Sequence, residues 1–367
     1  MSERKTPLYD EHVAADARMA PFAGWAMPLH YGSQIAEHHA VRRAAGMFDV
    51  SHMTVIDVVG VDALRLLRLT MANDPAKAVP GKAVYGVLLN AGGGIIDDLI
   101  VYGRDAGYRA VVNASTRDKV LNWLRGHASA MDVEMRERTD IAMVAVQGPE
   151  ARARFAAVTR IDTDGLGPFS FLERDAWMVA RTGYTGEDGV EVLLPAAEAV
   201  ALWRRLKTSG VAPAGLAARD TLRLEAGLNL YGQDMDEQVT PLESNLGWTV
   251  AWTPEERDFI GRTALARQRA EKPARVLKGV VLGAKGVMRH GYGVATNAGG
   301  GVVTSGVFSP TLGYSIGLAR LPRGAAGDCT VKIRAASVPA RIVRPPFVRD
   351  GKRTFRSERP RAGPARR

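Results

Sequence analysis

The chain has 367 residues, 46% of them hydrophobic, so it is too long for one ordinary core and long enough for two or three domains. Its single cysteine, Cys329, excludes an intrachain disulfide, a multi-thiolate zinc site and a cysteine-held iron–sulfur cluster. The formal charge is +10, of which eight Lys/Arg against Asp350 and Glu358 place +6 from Arg349 onward, leaving +4 for the body.

No window approaches the roughly 20 apolar residues of a membrane span. The start, Met1-Ser2-Glu3-Arg4-Lys5-Thr6, lacks the apolar stretch of a secretory signal. A soluble protein in a reducing cytoplasm, with no membrane partner, is expected.

In chain order, Ser33 caps a predicted helix that runs to Arg43 and stops at Gly46. Its neighbouring His38 and His39 point about 100° apart and cannot readily clasp one metal ion. Thr54 to Val59 reads as a strand, and Asp62 as the cap of an apolar-rich helix that Asn73-Asp74-Pro75 breaks. Val84 to Leu89 and Ile95 to Tyr102 are strand-like runs joined by Asn90-Ala91-Gly92-Gly93-Gly94, which predicts a β-hairpin. Tyr108 to Val112 adds a strand, followed by a helix capped by Ser115 with Asp118 completing a capping box.

A second group has a strand over Ile141 to Val146 and a helix opened by Gly148-Pro149-Glu150, with Pro at its first position. It continues with a strand over Val190 to Leu194 and a helix from Pro195 to Gly210. After Trp252 come short β-like runs, Val276 to Leu282, Gly301 to Thr304, Ile316 to Leu318 and Cys329 to Ile333, which predict a small β-barrel. The tail, from Lys352-Arg353 to Arg366-Arg367, contains Pro360, Gly363 and Pro364 and reads as a solvated terminus, disordered at its end. A nucleic-acid-binding arm is less favoured because Phe355 is its one interleaved aromatic.

Several chemistries find no motif. Gly291-Tyr292-Gly293 has Thr296 in place of a third glycine, and Gly81-Lys82 precedes Ala83, so neither a dinucleotide fingerprint nor a phosphate loop is present. Ser51-His52 lacks a nucleophile elbow, and adjacent strand residues would face opposite ways.

Asp97-Asp98 lies inside the apolar run Ile95 to Tyr102, where carboxylates lower β-propensity and are costly if buried unpaired. Strand alternation places Asp98, Ile100 and Tyr102 on one face, and Asp97, Leu99 and Val101 on the other. On this pattern alone the two acids either end the turn or serve a site.

A set of stretches in order settles the choice of class. They are Thr6-Pro7-Leu8, Gly24-Trp25-Ala26-Met27-Pro28, Gly46 through Met53, the hairpin with Asp97-Asp98, Gln147-Gly148-Pro149, Arg181 through Glu187, Arg219-Asp220, Tyr231 through Glu237, Thr304-Ser305-Gly306 and Ser309 through Gly313. Together they resemble the glycine cleavage T-protein family over nearly the whole chain.

The resemblance implies an α+β fold: a three-domain ring of ferredoxin-like α+β domains plus a C-terminal β-barrel around a central folate site. The expected boundaries are 1–55 with 139–250, then 56–138, then 251–348, with 349–367 as a basic tail. It implies an aminomethyltransferase that takes a one-carbon unit from the lipoylated H-protein and passes it to tetrahydrofolate, with no metal and as a monomer. Asp98 is the implied catalytic acid, and Asp97 is expected to matter much less. Met53, Tyr85, Tyr102, Val111 and Tyr184 would wall the flat pterin, Glu191 would accept from its N–H groups, Asn113 would bind through its amide, and Arg219 would orient an acidic partner.

Two relatives within the superfamily compete. Folate-dependent demethylating enzymes commonly carry a fused flavin part, for which no fingerprint is seen here. The tRNA-modification and iron–sulfur-assembly branch typically has a cysteine before its Tyr-x-Gly-Gln segment, where this chain has Leu228-Asn229-Leu230.

Overall fold

The computed structural model describes residues 3–355. The chain forms two compact units, one of Met1–Gly183, Glu187–Arg219 and Thr249–Arg262, the other of Tyr184–Gly186, Asp220–Trp248 and Thr263–Arg367. Among the described residues no helix is long and apolar enough to cross a membrane.

The first unit contains two large sheets. One has five strands in the order Ala83–Leu89, Ile95–Arg104, Gly107–Val112, Thr54–Val59, Glu134–Glu137. The predicted hairpin is present, and Asn90 Oδ1 closes its turn by accepting from the backbone N–H groups of Gly92 and Gly94. Leu88 faces Asp97 while Leu89 faces Ile95, so the strand carries a bulge just ahead of the acid pair. Beyond it, Leu99 and Val101 join an apolar cluster with Leu66, Leu67, Val120 and Leu124 from the helices Ala63–Thr70 and Arg117–Ala128.

Two caps differ from the sequence reading. Asp62 makes no side-chain cap; its carboxylate accepts from the backbone N–H of Asp132 instead. Ser115 does not open a helix, because Ala114–Thr116 is a 3-10 turn and the α-helix begins at Arg117. Thr116 precedes that helix without capping it, since its hydroxyl donates to Asp97.

The other sheet has six strands, Phe171–Arg174, Trp177–Ala180, Gly189–Pro195, Ile141–Gln147, Gly46–Asp49 and Ala212–Pro213, antiparallel except for the last pair. The helices Ala151–Thr159 and Ala196–Thr208 bury Phe155, Leu202, Trp203 and Leu206 against it. Pro149 lies two residues ahead of the first of these helices, so it leads into the helix without being its first residue. Pro195 precedes the second. Ser33 caps Gln34–Arg43 as expected, its Oγ accepting from Ala36 N at 3.3 Å.

A buried polar chain ties the N-terminal segment to this sheet. Asp49 accepts from Thr6 Oγ1 at 2.6 Å and from Ser51 N at 2.9 Å, and its Oδ2 lies 2.9 Å from His12 Nε2. Tyr31 OH is 2.8 Å from His12 Nδ1, which puts the ring proton on Nε2 and leaves Nδ1 to accept. Burial works against charge on Asp49, but the bonds from His12, Thr6 and Ser51 outweigh it and hold the carboxyl below its ordinary range.

The second unit holds a closed six-stranded barrel, in the order Arg275–Leu282, Tyr314–Pro322, Gly299–Ser309, Gly293–Thr296, Asp328–Ile333, Ala336–Val343. Four of these contain the predicted runs; Gly293–Thr296 and Ala336–Val343 complete the closure. From Thr263 to Val348 there are thirteen Lys/Arg against Glu271 and Asp328, so the positive charge of the body is concentrated here, and Arg349, Lys352 and Arg353 add to it. The first part of the expected tail is folded: Val348–Arg349 pairs with Lys352–Arg353, and Phe355 packs with Phe347. The rest of that tail, and the disorder expected of it, falls on residues 356–367, outside the described residues.

The motif Tyr231-Gly232-Gln233-Asp234 is anchored to this unit by a buried ion pair. Asp234, fully buried, accepts from Arg223 Nη1 at 2.9 Å, Leu230 N at 2.9 Å, Thr304 Oγ1 at 2.5 Å and Ser305 Oγ at 2.8 Å. Four donors on one carboxylate offset the cost of burying its charge.

Candidate active site

Asp98 is half-buried on its strand, while Asp97 is fully buried. The alternation thus separates them as expected, but they are not independent. Asn113, which ends the neighbouring strand Gly107–Val112, places Nδ2 2.8 Å from Oδ1 of Asp97 and 2.8 Å from Oδ1 of Asp98. Asp97 Oδ2 also accepts from Asn113 N at 3.1 Å and Thr116 Oγ1 at 2.7 Å. Asp98 Oδ2 accepts from Tyr85 OH at 3.0 Å across the hairpin.

Burial raises the proton affinity of both acids. For Asp97 the like charge of Asp98 adds to it, against the Asn113 and Thr116 bonds; for Asp98 the Asn113 and Tyr85 bonds and the positive field of Arg219 oppose it. The pair therefore titrates as a unit and keeps a proton to higher pH than isolated carboxyls would.

Glu191 lies on Gly189–Pro195, opposite Ala145 and Ala180. Thr182 Oγ1 donates to its Oε2, and Tyr102 OH lies 3.4 Å from the same hydroxyl. Burial pushes the Glu191 carboxyl up, opposed by the Thr182 bond and by Arg219. The same Arg219 is felt by Asp98, Glu191 and His52, which makes it the common cation of the cluster.

Thr182 is set by its surroundings. Gln147 Nε2 donates to its carbonyl at 3.1 Å, and a Cβ on Gly183 would come within 1.9 Å of Gln147 Oε1. The Thr182-Gly183 pair therefore needs glycine for close approach and threonine for the hydroxyl.

Of the remaining expected residues, Val111 is buried opposite Ile100, one residue from the position that faces Leu99, and Met53 is half-buried at the end of the turn that starts at Val50. Tyr184 belongs to the second unit, where its hydroxyl donates to the carbonyl of Asn229.

Sequence reasoning missed Thr116, Thr182 and His52. Ser51-His52 lies in a turn, not a strand, and Ser51 Oγ is committed to the backbone of Met143. His52 is buried edge-on to Phe22, and its Nδ1 has no partner among the described residues. Burial, with Arg219 adding to it against Asp49, pushes its imidazole down to about 3, so the ring is neutral. The tested Ser51-His52 motif was the signal that could have found it.

Chemically the cluster offers a carboxylate of raised basicity, a neutral imidazole, a second buried carboxyl and one cation. That set can accept N–H groups of a heterocycle and take up a proton.

Comparison with known proteins covers most of the chain. The GCVT N-terminal domain model matches residues 8–254, and the glycine cleavage T-protein C-terminal barrel domain model matches residues 275–349. An aminomethyltransferase of Methylococcus capsulatus is 55% identical over 349 residues, 94% of this chain and 97% of that protein. The crystal structure of the glycine cleavage system aminomethyltransferase T from Bartonella henselae superposes with a TM-score of 0.91 at 34% identity, over 95% of this chain and 99% of that one.

Proposed function

The chain belongs to the glycine cleavage T-protein family and is an aminomethyltransferase, and from that premise we propose that it carries one-carbon units from an aminomethylated lipoyl H-protein to tetrahydrofolate. The observation that carries the reading is Asp98: a carboxylate of raised basicity, half-buried and held by Tyr85 and Asn113. A base works best when its proton affinity approaches the working pH.

In this reading the folate N5 attacks the methylene carbon of lipoyl–S–CH2–NH2, and Asp98 accepts or orients the N5 proton. The C–N bond to the amine and the C–S bond to the lipoyl sulfur both break, and N10 closes the methylene bridge. The two hydrogens lost from N5 and N10 end on ammonia and on the lipoyl thiol, so the products are ammonia, 5,10-methylene-tetrahydrofolate and dihydrolipoyl H-protein. Atoms balance with no oxidant and no metal.

Glu191 accepts from pterin N–H groups, Tyr85, Tyr102, Val111 and Met53 line the ring, and Arg219 holds the acids at the right charge. A cytoplasmic compartment agrees with the lone Cys329, which can form no intrachain disulfide, and a monomer is part of the same proposal. The test is ammonia release from aminomethylated H-protein with and without tetrahydrofolate. Release that does not depend on folate would refute the reading.

A further inference from the structure

Asn113 Nδ2 carries two hydrogens, and both are taken: Asp97 Oδ1 and Asp98 Oδ1 each lie 2.8 Å away, with the Asp98 carbonyl at 3.3 Å. Turning the amide over would leave at most one of the two contacts with a hydrogen, the single proton that the acid pair retains, whereas the present orientation supplies one to each. Asn113 Oδ1, in contrast, takes no partner from the described residues. Asp97 is fully buried and is itself fixed by Asn113 N and Thr116 Oγ1, so it cannot turn toward a ligand.

We infer that Asp97 is a positioning residue: it fixes the Asn113 amide so that the NH2 group grips Asp98 and Oδ1 is offered, as an acceptor only, to an N–H of the reduced pterin. This rests on the folate reading above and deepens it by giving Asn113 a single polarity. Asp97 thereby acts on both the base and the ligand without touching either substrate. Strand alternation alone makes Asp97→Asn a mild change; the shared amide predicts otherwise. Asp97→Asn turns one acceptor into a donor that must oppose either Asn113 Nδ2 or the backbone N–H of Asn113, since Thr116 Oγ1 can give its hydrogen to the Asn113 carbonyl and accept instead.

A double-mutant cycle on the full chain tests the inference, with Asp97→Asn and Asn113→Ala read as tetrahydrofolate Kd and as kcat. Asp97→Asn should raise Kd roughly tenfold and lower kcat, the scale of a lost bond to a charged group. In the Asn113→Ala background the same change should add no more than about twofold. Thr116→Val, which removes one donor from Asp97, should give a smaller loss that also vanishes in that background, and it serves if Asp97→Asn does not fold. Equal losses in both backgrounds, or a lowered Tm with unchanged Kd and kcat, would overturn the role of Asp97. A wild-type chain that does not bind tetrahydrofolate would instead overturn the proposed function.

Discussion

Thr182 Oγ1 lies 2.6 Å from Glu191 Oε2, and both side chains are buried. This short bond leaves the second carboxylate oxygen for another donor and fixes the plane in which it is offered. Glu191→Gln should therefore raise the tetrahydrofolate KM about tenfold or more with a smaller effect on kcat, since it removes a charge-assisted bond made to the bound pterin. Thr182→Val should act in the same direction, and Thr182→Ser should recover most of the loss. Steady-state kinetics on the three variants decide this; a Thr182→Val enzyme with unchanged KM would remove Thr182 from the site.

Asp98→Asn keeps the shape of the side chain and removes its ability to take a proton. Turnover is expected to fall by roughly 10²-fold or more. Tetrahydrofolate should still bind, because Glu191 and the aromatic wall remain. Ammonia release and folate affinity measured side by side check both halves, and near-normal turnover would end the assignment of Asp98.

Stability at acid pH should depend on Asp49. Its carboxyl is held below the ordinary range in the folded chain, so its contribution is fully present above the unfolded value of about 4 and is lost as the pH falls through the folded value. Urea midpoints should drop below about pH 4, and Asp49→Asn should flatten that drop. At neutral pH the variant should cost roughly 3 kcal/mol, since it breaks a buried set of partners. An unchanged profile would show that the chain Thr6, His12, Asp49, Tyr31 is not coupled to folding.

Arg223→Met leaves the buried Asp234 carboxylate with three neutral donors and no ion-pair partner, Arg320 reaching only the backbone carbonyl of Asp234. The loss should be roughly 3–5 kcal/mol, read as a lower denaturant midpoint. Arg223→Met with Asp234→Asn should recover part of it, because the orphaned charge is then gone. Failure of the second change to help would mean that the cost lies in packing and not in charge.

The barrel unit carries sixteen cationic side chains against three acids between Thr263 and Phe355. Association with an acidic H-protein should slow as ionic strength rises, on the scale of a Debye length of about 10 Å at 0.1 M. Stopped-flow association rates across a salt series check this, and a flat series would rule out electrostatic steering.

Local pattern made part of this molecule legible. The hairpin could be read because Val84 to Leu89 and Ile95 to Tyr102 flank a turn that Asn90 closes with its own side chain. Asp97-Asp98 stood out because acids interrupt an apolar run. Ser33 announced its helix, whereas Ser115 misled, since the competing partner for the next hydroxyl, Asp97, lies nineteen residues upstream. The Asp49–His12 bond spans 37 positions and the Arg223–Ser305 bond 82, distances at which sequence pattern carries no signal. Ala336–Val343 was hidden by Pro339 and by its polar residues, which a barrel strand tolerates only because its neighbours supply the pairing.

Arg257 belongs to the first unit although it follows the second unit's segment Asp220–Trp248 in the chain. Its guanidinium donates to the carbonyls of Arg68, Met71, Ala72, Asn73 and Ala251, closing the end of the helix Ala63–Thr70. A fragment cut after residue 250 would retain all the strands of both sheets yet lose this donor, leaving the carbonyls of Arg68, Met71, Ala72 and Asn73 without it. The earlier half of the protein cannot be completed by ribosomes that have read only the earlier half of the message: its last structural part arrives some 185 residues after the helix it closes.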